Sequence, residues 1–161
     1  MFDYCVRSDE VQIDAPAQLV WDILFSIDRY PEWNPFTYKV ISSLNPGDDV
    51  ELYVDMPGRG KILQVEQVKA VEPPNLLSWG MKMGAEFFLT ALREQKISSI
   101  SATRCSYITT DAFSGLLTPI VIALFGKNIR TGFNRMAYAL KRKAEKHWQM
   151  IRENENVLAT H

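Results

Sequence analysis

The chain has 161 residues, 47% of them hydrophobic and 23% charged, which predicts one globular domain over 1–161 with its core at about 8–154. Its formal charge of −1 gives no overall electrostatic reason to bind nucleic acid. Cys5 and Cys105 form neither a metal pattern nor a disulfide framework, no His, Cys or carboxylate cluster has metal-ligand spacing, and the Met56–Gly60 glycines read as a hairpin turn and not a phosphate loop, so no metal and no cofactor is expected.

The opening segment MFDYCVRSDE is acidic and lacks the apolar run of a signal peptide. Glu10 to Asp14 alternates polar and apolar, a short strand with Val11 and Ile13 on one face. Ala15-Pro16 then opens a helix, because proline fits the first turn, where its missing amide hydrogen has no partner to lose. Val20, Ile23, Leu24 and Ile27 recur at helical spacing. Asp28 to Trp33 reads as a further helical turn or two, ended by Asn34-Pro35, since the residue before a proline is pushed towards extended geometry.

Strands and turns follow as far as residue 113. Phe36 to Leu44 is one strand, closed by Asn45-Pro46-Gly47-Asp48. Val50, Leu52, Val54 and Met56 alternate with polar or amphipathic residues, as on a half-buried antiparallel strand. Lys61 to Val71 is a long strand whose alternation shifts, which predicts a bulge. Leu76 to Met83, Glu86 to Lys96 and Arg104 to Phe113 complete the meander, the last two joined by a link containing Ser98, Ser99 and Ser101. With the first strand, the sheet has about seven.

A helical pattern runs from Gly115 to about Asn154. One helix of that length would be roughly 60 Å long at 1.5 Å per residue, so a break is expected near Gly126 or Gly132. Ile129, Phe133, Met136, Ala137, Leu140, Ala144, Trp148 and Ile151 then form one apolar stripe. The apolar run Leu116 to Phe125 is about half the length that a membrane-spanning helix needs, which excludes stable insertion and favours packing under the sheet. A cytoplasmic location is expected. Charge is uneven: residues 1–60 carry 4 basic and 11 acidic side chains, whereas residues 127–161 carry 8 and 3. The basic stretch is interrupted by Glu145, Glu153 and Glu155 and reads as a solvated helix face.

Five segments carry a resemblance: Ile13-Asp14-Ala15-Pro16 with Val20-Trp21; Tyr30 to Phe36 (YPEWNPF); Val71 to Trp79 (VEPPNLLSW); Phe113 to Leu117 (FSGLL); and Gly132 to Met136 (GFNRM) with Leu140-Lys141 and Ala144-Glu145. In this order the chain resembles the START-like superfamily (SRPBCC, Bet v 1-like), and within it the bacterial polyketide cyclase/dehydrase and lipid-transport group. The resemblance implies an α+β helix-grip fold, with a curved antiparallel sheet around a long C-terminal helix and two short helices near the N-terminus. It also implies a cavity between sheet and helix that takes a lipid, quinone or polyketide-like molecule. A fold does not imply a reaction, and enzyme activity stays open.

Alternation places Cys105, Tyr107, Thr109, Asp111 and Phe113 on one face, read as inward. Glu86, Phe88, Thr90 and Leu92 share a face of the preceding strand, and Leu77, Trp79, Met81 and Met83 share one before that. The ligand-binding candidates are Trp33, Phe36, Trp79, Met81, Phe88, Tyr107, Thr109, Phe113, Phe133 and Met136. Trp33 and Phe36 are placed at the cavity mouth by the resemblance, although Trp33 also reads as a plug for its own turn. Asp111 and Glu86 are candidate acid–base carboxyls, because loss of solvation raises a carboxyl pKa, and Tyr107 is a candidate donor to an enolate. The alternatives are that Glu86 stands in water at a strand end and that Asp111 caps the following helix. His147 and His161 belong to no evident dyad. Three readings follow: a small-hydrophobic-ligand binder, a cyclase-like enzyme using a cavity carboxylate, and a module that binds a protein partner or presents a ligand at a membrane.

Overall fold

Turn signals at 45–48, 57–60 and 73–75 each reverse the chain, and the computed structural model, which describes residues 2–160, shows the strands between them as one antiparallel sheet. The strands are β1 (Asp3–Arg7), β2 (Val11–Ile13), β3 (Thr37–Ile41), β4 (Asp49–Met56), β5 (Gly60–Glu72), β6 (Leu76–Met83), β7 (Leu89–Ser101) and β8 (Arg104–Ser114). Helix α1 (Ala17–Phe25) and a 3-10 helix (Ile27–Glu32) separate β2 from β3, and α2 (Thr118–Ala159) follows β8. The order across the sheet is β1-β8-β7-β6-β5-β4-β3, with β2 also paired to β8. This is the helix-grip α+β arrangement. His161 lies outside the described residues.

Several boundaries differ from the sequence reading. An eighth strand, β1, pairs with β8 from Asp3 opposite Ser114 to Arg7 opposite Thr110. Strand β7 runs on through Ser98, Ser99 and Ser101, so the serine-rich link is itself strand. The bulge expected in β5 lies between Val68 and Ala70.

Helix α2 is unbroken over 42 residues. Pro119 stands in its first turn, where no amide hydrogen is needed. Gly126 and Gly132 lower helix propensity by about 1 kcal/mol each without removing a hydrogen bond. Gly132 has a packing role instead, since a Cβ there would collide with the Phe36 ring. The helix fits the fold by overrunning it: its buried residues end at Ala144, Trp148 still packs on the core, and Arg152 to Thr160 are exposed.

The apolar stripe of α2 closes the core. Phe133, Met136, Ala137, Leu140 and Ala144 are buried against the inner face of the sheet and against Val20 and Leu24 of α1. Burying side chains of the Leu or Phe size contributes about 1.5–3 kcal/mol each. The basic face is less solvated than its pattern implies. Arg130 pairs with Asp9 at 3.1 Å, Lys141 donates to the Gln12 carbonyl at 2.6 Å, and Lys143 pairs with Glu32 at 3.5 Å. Asn134 Oδ1 and Tyr138 Oη also bond the Asp9 backbone and carboxylate. The acidic N-terminal part and the basic helix are thus partly complementary.

Candidate functional site

Between the sheet and the N-terminal half of α2 lies a cavity of about 240 Å³. Its apolar wall includes Leu52, Val54 and Met56 of β4, Met81 and Met83 of β6, Leu89 and Ala91 of β7, and Phe113 of β8. Helix α2 contributes Val121, Phe125, Ile129 and Phe133. These positions follow from period-two alternation in the strands and from one helical face in α2. Phe36 completes the wall. Asn34 Oδ1 accepts hydrogen bonds from the Phe36 and Thr37 amides at 3.0 and 2.9 Å, which fixes the turn before β3. The Phe36 ring meets Phe133 edge-on at 5.7 Å, over the space that Gly132 leaves open.

The polar groups of the wall gather on three strands: Gln64 and Glu66 on β5, Arg93 on β7 and Asp111 on β8. Arg93 is 5% exposed. Its Nε donates to Thr109 Oγ1 at 3.2 Å, and one terminal nitrogen meets Met136 Sδ at the same distance. The guanidinium also lies 4.6 Å from the centre of the Phe133 ring, 5.6 Å from Trp79 and 5.8 Å from Phe36. Aromatic faces therefore hold this cation, by attraction to their negative π-clouds.

The carboxyls are differently placed. Burial pushes Asp111 up to about 7, and the Arg93 charge only partly opposes that rise. Its Oδ1 is sealed from solvent and accepts no hydrogen bond from any described residue. Burial likewise raises Glu66 to about 7; the Asp111 charge adds to the rise, and Arg93 offsets part of it. Two carboxyls that are desolvated and mutually repulsive hold protons near neutral pH.

Nine of the ten ligand candidates fall into three groups. Phe36, Met81, Phe113 and Phe133 are in the cavity wall, with Asp111 among the acid–base candidates. Trp79, Tyr107, Thr109 and Met136 are fully buried beneath it, supporting Arg93 and Gln95. Tyr107 Oη donates to Gln95 Oε1 at 3.0 Å, so the expected enolate donor is already engaged, and burial raises its phenol to about 12. Trp33 packs edge-on against Tyr30 at 5.1 Å and is not in the wall, which suits its reading as a plug.

Two candidates are corrected. Glu86 and Phe88 lie in the turn before β7, which starts only at Leu89. Glu86 stands in water 3.8 Å from Lys82, and Phe88 is 43% exposed beside Phe87. The face of β7 was also inverted: Leu89, Ala91, Arg93, Gln95 and Ile97 point inward, whereas Thr90 and Leu92 do not. Asp111 does not cap α2, whose N-cap is Leu117 without a side-chain bond.

Arg93 and Glu66 escaped the sequence reading. Glu94 and Lys96, which pair at 2.8 Å on the outer face, carry the signal that would have set the phase of β7. Strand β5 carries the opposite of such a signal, since Leu63 and Val65 face out while Gln64 and Glu66 face in.

The family described as polyketide cyclase / dehydrase and lipid transport matches residues 6–141. The fold is shared with the Zhui aromatase/cyclase from Streptomyces sp. R1128, at a TM-score of 0.72 and 19% identity over 90% of this chain and 95% of that one. A START superfamily protein from Mycobacterium smegmatis aligns at 0.65 and 18%, over 88% and 97%. Norcoclaurine synthase from Thalictrum flavum aligns at 0.68 and 15%, over 91% and 96%. No match is found among curated proteins.

Proposed function

We propose that this chain, which belongs to the polyketide cyclase / dehydrase and lipid transport family of START-like helix-grip proteins, binds a small hydrophobic ligand between sheet and α2. The observation that carries the reading is the cavity itself: about 240 Å³, apolar on most sides, with a few polar groups at one place. Pockets for small organic ligands have that make-up, because apolar walls supply affinity and a few fixed polar atoms supply orientation. A surface groove of about 610 Å³ beside Asp14, Arg104 and Trp148 suits an apolar ligand less, since the Arg104–Asp14 ion pair lies along it.

The test is direct. Trp79 lies fully buried within ring contact of Arg93, so an apolar occupant is expected to change tryptophan fluorescence and raise the melting temperature. A panel of fatty acids, quinones and aromatic polyketides that altered neither would refute the reading.

A second reading, an acid–base enzyme of the cyclase kind, is favoured by Asp111. A carboxyl that titrates near 7 inside an apolar cavity is matched to taking a proton from carbon next to a carbonyl and returning it. With Glu86 in water and Tyr107 engaged, Asp111 is the remaining candidate among those three. Ring closure of a poly-β-ketone that continued unchanged in Asp111→Asn would remove this reading.

A further inference from the structure

Besides the cavity, three features stand out. Leu116, just before α2, and Ile120 and Leu124 on it expose apolar side chains, and Phe87 and Phe88 expose two more rings nearby, but nothing present identifies what would cover them. The overrunning end of α2, with Met150, Val157 and Leu158 exposed, is open in the same way. Cys105 is buried and its thiol is pushed up to about 11 by that burial, which leaves it a poor nucleophile. The cavity's polar groups carry an argument further.

Counting charges there shows what is missing. Two carboxyls, Glu66 and Asp111, share the wall with one cation, Arg93. That cation is already served by Thr109, Met136 and three aromatic rings, and among the described residues it forms no ion pair with either carboxyl. The other elements around the cavity add no further charge: β4 and β6 line it with Leu, Val and Met, and α2 with Val, Ile and Phe. Tyr107 and Tyr30 lie deeper and are held neutral by burial. An ionised carboxylate can only accept hydrogen bonds, and Asp111 Oδ1 receives none. Besides Arg93 the wall offers one neutral donor, the Gln64 amide, and no second cation; a positively charged donor would balance the two carboxylates together with Arg93.

Resting on the cavity reading above, we infer that the ligand is a hydrophobic amine, its ammonium seated between Glu66 and Asp111 and its apolar body against Phe36, Phe113, Phe125 and Phe133. Phe36 and Phe133 would also attract the ammonium's neighbouring CH groups, as they do the Arg93 guanidinium. Seating the amine requires both carboxyls to be ionised. Near neutral pH binding therefore expels a proton from the pair, and affinity rises with pH until the pair is fully ionised.

Three probes of one shape and different head charge make the test: 4-phenylbutylamine, 4-phenylbutanol and 4-phenylbutyrate, titrated by tryptophan fluorescence and calorimetry at pH 6 and pH 8. The amine is expected to bind tightest at pH 8 and to lose on the order of a hundredfold at pH 6, the change expected for one proton on each of two groups titrating near 7. Calorimetry in two buffers of different ionisation enthalpy is expected to show proton release. Asp111→Asn and Glu66→Gln, each first checked for a cooperative melt, are expected to erase the amine's advantage over the alcohol.

Equal binding of amine and alcohol in the unaltered protein would overturn the proposal, as would an advantage that survived in both variants. Tightest binding of the butyrate would overturn it too and make Arg93 the partner of an anionic head. In all three cases the cavity reading would stand. If none of the probes bound at either pH, the amine proposal would fail, and the cavity reading would fail with it only if the fatty acids, quinones and aromatic polyketides also left the protein unchanged.

Discussion

Arg93 and Asp111 stand directly opposite each other across the β7–β8 ladder, both on the inner face, yet they form no ion pair. The guanidinium turns to Thr109 and Met136 and lies among three rings. This leaves the Asp111 carboxyl facing the cavity with its desolvation only partly offset by the Arg93 charge, which is why it titrates near 7 and not near 3.8.

Stability should depend on pH through that carboxyl. Its folded value is raised, so the folded state holds the proton more tightly than the unfolded one between about pH 4 and pH 7, and stability falls as pH rises through that window. Asp111→Asn is expected to stabilise the protein above pH 7 by on the order of 2–4 kcal/mol, the gain vanishing near pH 4. Urea unfolding of both proteins at pH 4.5, 6 and 8 measures it; parallel stability curves would contradict the assignment.

Arg93 is the one group that holds Glu66 and Asp111 down. In Arg93→Met both carboxyls are expected to titrate well above 7, read by carbon-13 NMR of the side-chain carboxyls. Unmoved titrations would mean that the guanidinium is electrostatically remote from them.

The two glycines of α2 should respond in opposite directions. Gly126→Ala meets only the Ile122 γ2 methyl at 3.2 Å, which has to give by no more than a few tenths of an ångström, and gains helix propensity, so it is expected to be neutral or to stabilise by up to about 1 kcal/mol. Gly132→Ala drives a methyl into the Phe36 ring and is expected to cost about 1–3 kcal/mol. Equal effects in thermal melts would argue against the unbroken helix and its contact with Phe36.

The exposed end of α2 is expected to be dispensable. Removing residues 152–161 takes away described side chains that are all exposed, so ligand-induced fluorescence changes should persist, with helical circular dichroism reduced in proportion. Trp148→Ala, by contrast, removes a ring packed on the core and should lower the melting temperature. Loss of binding on truncation would show that the tail shapes the cavity.

Glu86→Gln provides a comparison for the cavity carboxyls. Because Glu86 is in water beside Lys82, ligand affinity is expected to stay within about twofold, as for most surface changes. A large loss would place the β6–β7 turn in the binding site.

Much of the architecture is legible in the amino-acid order. Turn residues at 45–48 and 57–60 delimit hairpins, and the alternation of Val50, Leu52, Val54 and Met56 names the inner face of β4 without help from the rest of the molecule. Cys105, Tyr107, Thr109, Asp111 and Phe113 do the same for β8, and the stripe from Ile129 to Ala144 for α2. In each case one face is apolar enough that a single phase buries it, so local periodicity suffices.

Tertiary structure decided what periodicity leaves degenerate. Around Phe88 to Ile97 both faces carry apolar residues, and the exposed Phe88 and Leu92 suggest the wrong one; only the register of β7 against Trp79 and Asp111 turns Arg93 inward. Glu66 is inside because β5 lines the cavity there, where a polar side chain faces an open space and not a packed core. The close packing of α2 at Gly132 is against the Phe36 ring, a contact about a hundred residues apart in the chain that local sequence does not reveal. Local order determined which segments are strands and helices, because that needs only neighbouring residues. The charged floor of the cavity needed the whole sheet, because the inward placement of buried Arg93 and half-buried Glu66 and Asp111 is set by strands that meet only when the chain is folded.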